Sequence, residues 1–427
     1  YLCRLAGDFV DVTDNSYFEV FSSERSNLAP GITQDIKYAT SADGKQVVFY
    51  IATADLSRED IDVYANYTNN DPTKWAMSRV LDQANFAQQK FGDPESEHYI
   101  ENYNVIASIN GAGYNMGTGE PGGVLVMGGV EYHAINGNGF FGIPMDGEPV
   151  IGTTEEYNTI YKGKLRDGIA AFGSTLVKDG KVCINRTENY YTDRASRTAI
   201  GITKTGKVVF MVLDGRQEPF SCGGSMQEIA QIMLEAGCVT AVNLDGGGST
   251  TYVAKPEGED ALKVVNKPSD GSARSVSTSL IMVSTAPSST AFDHAILKSE
   301  TNYMTVGSSQ QIVAEGVSAT GNAADIPEGA AWVVTDPSYG TIVGSGIFTA
   351  LKNGSVDINL MLEDTIIGSK TMHIVLPDNV YFTKSKVDVV YGETVELPVK
   401  ALYDGKPVTI LPSDLVFTLE NKAAGTV

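Results

Sequence analysis

Lys207-Val208-Val209-Phe210-Met211-Val212-Leu213-Asp214-Gly215-Arg216 opens the stretch whose reading decides the fold, and Val239-Thr240-Ala241-Val242-Asn243-Leu244-Asp245-Gly246-Gly247-Gly248-Ser249-Thr250 closes it. Each half begins with an apolar run of strand length and ends in Asp-Gly, a turn signal. Between them, Ser225-Met226-Gln227-Glu228 has the spacing of a capping box, with Ser at the N-cap and Glu at N3. The helix it starts places Ile229, Ile232, Met233 and Ala236 on one face and stops at Gly237. Strand, helix and strand of these lengths predict a right-handed crossover with parallel strands, so that both strand ends share one sheet edge. The expected fold class is α/β, or mixed α+β, with a sheet flanked by helices.

That edge is where chemistry is expected. Asp214 and Asp245 each sit at the carboxyl end of a strand, where open α/β sheets bind ligands. Asn243 and Asp245 are two apart and share a face. Gly246, Gly247 and Gly248 let backbone N–H groups approach an anion, and Ser249 and Thr250 add hydroxyls. No Gly-Lys-Ser/Thr follows, so the run is not a P-loop. Arg197, in Ser196-Arg197-Thr198-Ala199-Ile200-Gly201, and Arg274 are candidates for clamping phosphate. Asn110-Gly111 ends a further strand and opens a glycine-rich stretch.

Working outward, Gln46–Ala52, Asn104–Ile109 and Gly168–Val177 read as strands, and Pro72–Phe91 reads as a helix started by Asp71-Pro72. Met145-Asp146-Gly147 and Lys178-Asp179-Gly180-Lys181 read as hairpin turns. Ser284-Thr285-Ala286-Pro287-Ser288-Ser289-Thr290 reads as a linker. Residues 1–285 then form one large domain, mixed in character. Beyond the linker, Val306-Gly307 is echoed by Tyr391-Gly392, 85 residues on, and Pro327, Trp332 and Gly340 meet Pro412, Phe417 and Gly425 at the same offset. A period this long suits an immunoglobulin-like sandwich better than a solenoid. The expectation is one such domain at 290–376 and the start of a second, truncated one at 377–427. Asp357–Leu362 and Thr394–Val399 are examples of its strands.

Composition narrows the function. The 427 residues carry 31 Lys+Arg against 52 Asp+Glu, a net charge of −21. That balance argues against nucleic acid as a partner. No window approaches the roughly 18 apolar residues of a membrane helix, so no membrane insertion is expected. Four His, none near another, argue against a His-ligated metal or a serine-hydrolase triad. No metal ligand set is assigned, although clustered carboxylates are of the type that takes Ca²⁺. The four cysteines, Cys3, Cys183, Cys222 and Cys238, form no C-x-x-C; buried free thiols are the plain reading, and one or two disulfides the alternative in an exported protein. The chain opens at Tyr1 without Met, which predicts a processed or trimmed chain.

At these residues the sequence resembles the phosphodiester glycosidase family. The matching pieces are Ile109-Asn110-Gly111, Phe141-Gly142-Ile143, Arg197-Thr198-Ala199-Ile200-Gly201, Asp214-Gly215-Arg216-Gln217, Glu228, Asn243-Leu244-Asp245-Gly246-Gly247-Gly248-Ser249-Thr250, Pro268-Ser269-Asp270 and Arg274-Ser275-Val276-Ser277-Thr278. They span Ile109 to Val283. Where the family continues Asn-Gly into Gly-Phe-Phe, this chain reads Asn110-Gly111-Ala112-Gly113-Tyr114. The resemblance implies cleavage of a sugar-1-phosphate diester, such as an α-N-acetylglucosamine-1-phosphodiester, releasing free sugar and a phosphomonoester without a required cofactor. A phosphate leaving group needs less acid assistance than an alkoxide, so the site must mainly stabilise charge and supply one carboxylate. The expected roles are phosphate binding by Arg197, Arg274 and the Gly246–Ser249 backbone, and catalysis by Asp245 or Glu228. Asn110, Asp214 and Asn243 would orient sugar hydroxyls or the attacking water. The substrate would be carried on a glycan or cell-wall polymer, and the protein would be extracellular or on a bacterial cell surface, its signal peptide removed.

Plainer readings stand beside these. Asp214-Gly215 alone is a turn signal, Glu228 is fully explained as a helix cap, and an isolated Arg274 is a surface ion pair by default. Two rival functions use the same pocket: a cell-surface carbohydrate-binding or adhesion protein without turnover, and a phosphodiesterase that cuts P–O.

Overall fold

The computed structural model describes residues 17–184, 186–384 and 386–418. They fall into two compact units: one runs to Ser289 and takes in Thr320–Asn322, and the other comprises Thr290–Ala319 and the chain from Ala323. Among the described residues strands hold 44% and helices 11%, so they are mostly β, and helices are too few to flank every sheet. That corrects the expectation of an α/β sheet covered by helices.

The first unit is built on an eight-stranded sheet, in the order Phe18–Ala29, Ile32–Ser41, Gln46–Ala54, Val208–Leu213, Arg197–Thr203, Cys238–Asn243, Thr175–Lys178, Lys181–Val182. Every neighbouring pair in it is antiparallel. The expected parallel pair is therefore not adjacent: Arg197–Thr203 lies between Val208–Leu213 and Cys238–Asn243 and is antiparallel to both. Two strands antiparallel to a common neighbour run the same way. The carboxyl ends of both thus still reach one edge, and the amino end of the middle strand joins them there.

Val208–Leu213 is apolar at every position because both faces of the sheet are covered. Val208, Phe210 and Val212 pack in one core with Ile109, Phe140, Ile169 and Met282 from two further five-stranded sheets. Val209, Met211 and Leu213 point the other way, into a core with Ile229, Ile232 and Met233. Those three come from the helix Met226–Glu235, which carries the expected capping box: Ser225 Oγ accepts from Glu228 N, and Glu228 Oε2 accepts from Ser225 N. Gly237 follows it at φ 86°.

Other local signals resolve differently. Asp71 does not start a helix, because its Oδ1 accepts from the Thr73 N–H and hydroxyl and closes a turn instead; the helix begins at Val80 and runs to Gly92. The run read as Gly168–Val177 divides into Leu165–Ala170 and Thr175–Lys178, which belong to different sheets. Asp179 and Gly180 have φ 50° and 69°, the mirror-image turn that suits a two-residue hairpin.

The second unit is all β. Its largest sheet has seven strands, in the order Ala331–Val334, Gly354–Leu362, Thr365–Ile374, Tyr303–Met304, Lys406–Thr409, Val399–Tyr403, Asn379–Phe382. Tyr303–Met304 pairs in parallel with both Thr365–Ile374 and Lys406–Thr409. The residues of the second repeat thus extend a sheet begun by the first, which covers an edge that a half-sandwich would leave open. Thr394–Val399 is not a strand; only Val399 enters one. Gly425 lies outside the described residues.

Ser225→Ala removes the acceptor for the Glu228 N–H and leaves a helix-end donor unpaired. It is expected to lower stability by about 1 kcal/mol in urea unfolding, with the unfolding slope unchanged.

Candidate active site

Register sets the site. Arg197 pairs with Leu213, and Ala199 pairs with Asn243, so Arg197, Asp214 and Asp245 emerge at one sheet edge. An open cleft of about 300 Å³ lies there, lined by Arg197, Arg216, Arg274, Asp245, Gly246, Gly247, Gly248, Phe172 and Tyr190 among others.

Asp245 is held from both sides of its own backbone. Its N–H donates to Gly111 O at 3.0 Å, and its carbonyl accepts from Asn110 Nδ2 at 2.7 Å. Its Oδ1 accepts from the Gly246 N–H at 3.0 Å. Burial raises the pKa of this carboxyl, and Ser249, the Gly246 N–H and Arg274 act against that rise. Ser249 Oγ lies within electrostatic reach of the carboxylate but, among the described residues, meets no partner in hydrogen-bond geometry.

The three guanidinium groups are held differently. Arg197 is buried and, among the described residues, donates only to carbonyls: Gly224 O at 3.0 Å, Tyr190 O at 3.0 Å and Asp193 O at 2.8 Å. Its pKa is lowered first by burial, and the Arg216 charge acts in the same direction. Arg274 pairs with Asp270, Nη2 to Oδ2 at 2.7 Å. Arg216 is exposed, sits at φ 60° in the turn after Asp214-Gly215, and has no ion pair among the described residues.

Most N–H groups of the glycine run are turned away from a bound anion. The N–H groups of Gly246, Gly247 and Ser249 are spent inside the protein, on Asp245 Oδ1, Ser196 O and Gly246 O. What the glycines supply is closeness. A Cβ on Gly248 would lie 2.0 Å from Arg274 Nη2 and 2.3 Å from Asp270 Oδ2, and one on Gly247 would lie 3.4 Å from Arg216 Nη1. Glycine lets the arginines close onto the backbone beside Asp245.

Two expected catalytic carboxylates do not line the cleft. Asp214 is fully buried. Its Oδ2 accepts from the Tyr50 hydroxyl at 3.1 Å and from Lys267 N at 2.9 Å, and its Oδ1 accepts from Asn266 Nδ2 at 2.9 Å. It ties the 266–267 segment to the sheet. Glu228 is the helix cap described above and pairs with Arg194 at 2.6 Å. Both carboxylates have their oxygens occupied by structural donors.

The remaining expected residues are supports. Asn110 is fully buried, and its Oδ1 accepts from Thr198 Oγ1 and Thr251 N. Gly111 packs too tightly for a side chain, since a Cβ would lie 2.3 Å from Ile169 Cδ1. Thr250 is buried, 3.4 Å from Thr198 Oγ1. Asn243 Nδ2 donates to Phe172 O at 2.7 Å and to the Tyr190 hydroxyl at 3.2 Å, fixing the cleft's aromatic wall. Tyr190 and Arg216 line the cleft without having been expected there. Arg216 lay inside a quoted motif, one residue past a turn; Tyr190 carries no sequence signal.

Among the described residues no group of three His, Cys, Asp or Glu is placed to hold a metal ion, and no helix is long and apolar enough to cross a membrane. Cys183 is disulfide-bonded, whereas Cys222 and Cys238 are free and buried.

Residues 103–283 match the phosphodiester glycosidase family. The matched segment contains every residue named above as lining the cleft. N-acetylglucosamine-1-phosphodiester alpha-N-acetylglucosaminidase from Bos taurus is 30% identical over 160 residues, 34% of this chain and 30% of that protein. The Homo sapiens protein of the same name is 29% identical over the same length, 31% of its own chain. An SPbeta prophage-derived protein of Bacillus subtilis strain 168, YomE, is 29% identical over 280 residues, 62% of this chain and 38% of that one. Each match thus spans well under half of the relative's length. The auto-inhibited catalytic domain of the zebrafish N-acetylglucosamine-1-phosphodiester alpha-N-acetylglucosaminidase aligns with a TM-score of 0.47 at 20% identity, covering 65% of this chain and 92% of that one. The segment 103–283 is thus similar to phosphodiester glycosidases.

Burial, largest of its causes, raises Asp214 to about 6. An unfolded chain's aspartate titrates near 3.9, so between about pH 4 and 6 the folded state binds the extra proton. The stability contributed by this site is therefore greatest below that window, falls as pH rises through it, and is level above it. Asp214→Asn is expected to remove this slope. The stability difference between wild type and variant should change between about pH 4 and 6 and be constant above; a difference constant throughout would contradict the assignment.

Proposed function

We propose that this protein hydrolyses a sugar-1-phosphate diester at the glycosidic bond, with Asp245 as the catalytic carboxylate. The observation that carries the reading is the placement of one carboxylate of raised pKa among Arg197, Arg216 and Arg274 in a single cleft, inside the segment that matches the phosphodiester glycosidases. The named activity of the bovine and human relatives supports α-N-acetylglucosamine as the sugar.

In this mechanism the C1–O bond breaks and its electron pair leaves on the phosphate oxygen. The guanidinium groups stabilise that charge, so no separate general acid is needed. Asp245 takes a proton from the water that attacks C1, or stabilises the positive charge that develops on the sugar. Water's oxygen ends on the sugar and the phosphate leaves as a monoester. Tyr190, fixed by Asn243 and set edge-on to Phe172 with ring centroids 6.3 Å apart, presents an aromatic surface for the sugar ring. The all-β second unit is proposed to be immunoglobulin-like and to act as a spacer. Secretion or surface display is proposed as well, and a disulfide at Cys183 fits an oxidising compartment.

Incubation with a panel of sugar-1-phosphodiesters should release free N-acetylglucosamine and a phosphomonoester. In ¹⁸O water the label should enter the sugar. Label in the phosphate would make the protein a P–O phosphodiesterase, and no release from any substrate would favour a carbohydrate-binding protein.

Asp245→Asn is expected to lower kcat by about 10²–10⁴ with thermal stability retained; full turnover by the folded variant would exclude Asp245. Tyr190→Ala should raise KM about tenfold, a loss near 1.4 kcal/mol, while Tyr190→Phe, which keeps the ring but loses the bond to Asn243, should recover part of it.

A further inference from the structure

A second cavity of about 300 Å³ lies in the first unit, lined by none of the residues that line the catalytic cleft. Its walls are aromatic, formed by Tyr64, Phe91, Tyr103 and Tyr132, and its polar groups come from Asn70, Lys90, Arg166 and Asp167. Several features set it apart from a packing defect. Leu165–Ala170 carries a register shift between Leu165 and Asp167 against its neighbour strand. Such a bulge re-aims side chains, and here two successive residues, Arg166 and Asp167, both line the cavity. Asp167 is nearly buried, with its side chain 5% exposed. On another wall, Asn69 and Asn70 are consecutive non-glycine residues at φ 53° and 48°. Asparagine tolerates this left-handed backbone. Asn70 is anchored there by Lys90 Nζ at 2.7 Å.

The electrostatics select the ligand. Arg166 gives its Nε to Asp167 at 2.7 Å and its Nη2 to Asp62 at 2.7 Å, and its guanidinium lies 4.4 Å from the Tyr64 ring centre. Lys90 is turned onto Asn70 and the face of Phe91. The cations are thus already matched by carboxylates, an amide and ring faces, so the cavity has no strong preference for an ion. What it offers is flat aromatic surface beside the N–H groups that remain on Lys90 after its bond to Asn70, and on Asn70 Nδ2 after its bond to Asn66, for exchange with hydroxyls. An uncharged ring with one apolar face and several hydroxyls fits that combination, and the volume, at the small end of ligand pockets, admits one such ring. We propose that this cavity is a non-catalytic binding site for a single neutral sugar unit.

Saturation-transfer NMR and calorimetry on the full chain with N-acetylglucosamine and glucose test this, independently of any turnover. Two variants address the cavity. Gly128 lines it at φ 56°, with nothing within 4 Å of a built Cβ, and asparagine tolerates that backbone. Gly128→Asn should therefore place a side chain at the wall without disturbing the fold. Tyr132→Ala removes a half-buried aromatic wall and serves if the first variant does not fold. At least one of the two sugars is expected to bind, with Kd raised about tenfold or more by either variant and unchanged by Asp245→Asn or Tyr190→Ala. No binding of either sugar to the wild type, or binding weakened only by the cleft variants, would overturn the proposal. Sugar binding at this cavity by a protein that hydrolyses no sugar phosphodiester would uphold it while removing the catalytic reading.

Discussion

The side chain of Asn110 is the interaction on which the site depends. It is fully buried, and it joins two sheets and a loop: its amide donates to the Asp245 carbonyl, and its oxygen accepts from Thr198 on the eight-stranded sheet and from Thr251 beyond the glycine run. Asp245 is thereby held at its carbonyl by Asn110 and at its N–H by Gly111. A buried amide left with unmet partners costs free energy comparable to several hydrogen bonds, so the arrangement is all or nothing. The carboxylate that faces the cleft is placed by backbone restraints and leaves its own oxygens largely free for chemistry.

The same logic separates the carboxylate that faces the cleft from those tied up by structural donors. Asp214, Glu228 and Asp245 share similar sequence surroundings, each beside a turn or helix start. They differ in how many donors reach them. Asp214 meets three and Glu228 meets a backbone N–H and an arginine, whereas Asp245 has a single backbone donor at 3.0 Å. Donor count depends on partners such as Tyr50, Lys267 and Arg194, which are distant in sequence and are brought close only by the sheet.

Legibility followed the range of the interactions. The capping box at Ser225, the stop at Gly237 and the Asp179-Gly180 hairpin are decided within a few residues and could be read directly. Val208–Leu213 was readable as a strand because both its faces are apolar. Strand direction was not, since a strand–helix–strand pattern is equally satisfied when a third strand, Arg197–Thr203, inserts between the two. The edge carrying Arg197 and Asp245 was nevertheless located correctly, because same-direction strands bring their ends together whether or not they touch. Tyr190 escaped because its role rests on a hydrogen bond to Asn243, 53 residues away.

The cost of the glycine run bears on why the cleft is cationic at all. In a chain with 52 acidic and 31 basic residues, an arginine meets a carboxylate by default, as Arg58, Arg79 and Arg186 do with Asp60, Asp82 and Glu188. At the cleft Arg274 follows that default with Asp270, but the other two arginines avert it in two ways. Arg197 is buried against carbonyls, which satisfy its N–H groups without cancelling its charge. Arg216 is projected from a left-handed turn toward Gly247, with no carboxylate in ion-pair reach among the described residues. Both devices need backbone, not side chain, as the neighbour. Three consecutive glycines, unfavourable in entropy, are what bring backbone that close, and the residue they follow is Asp245.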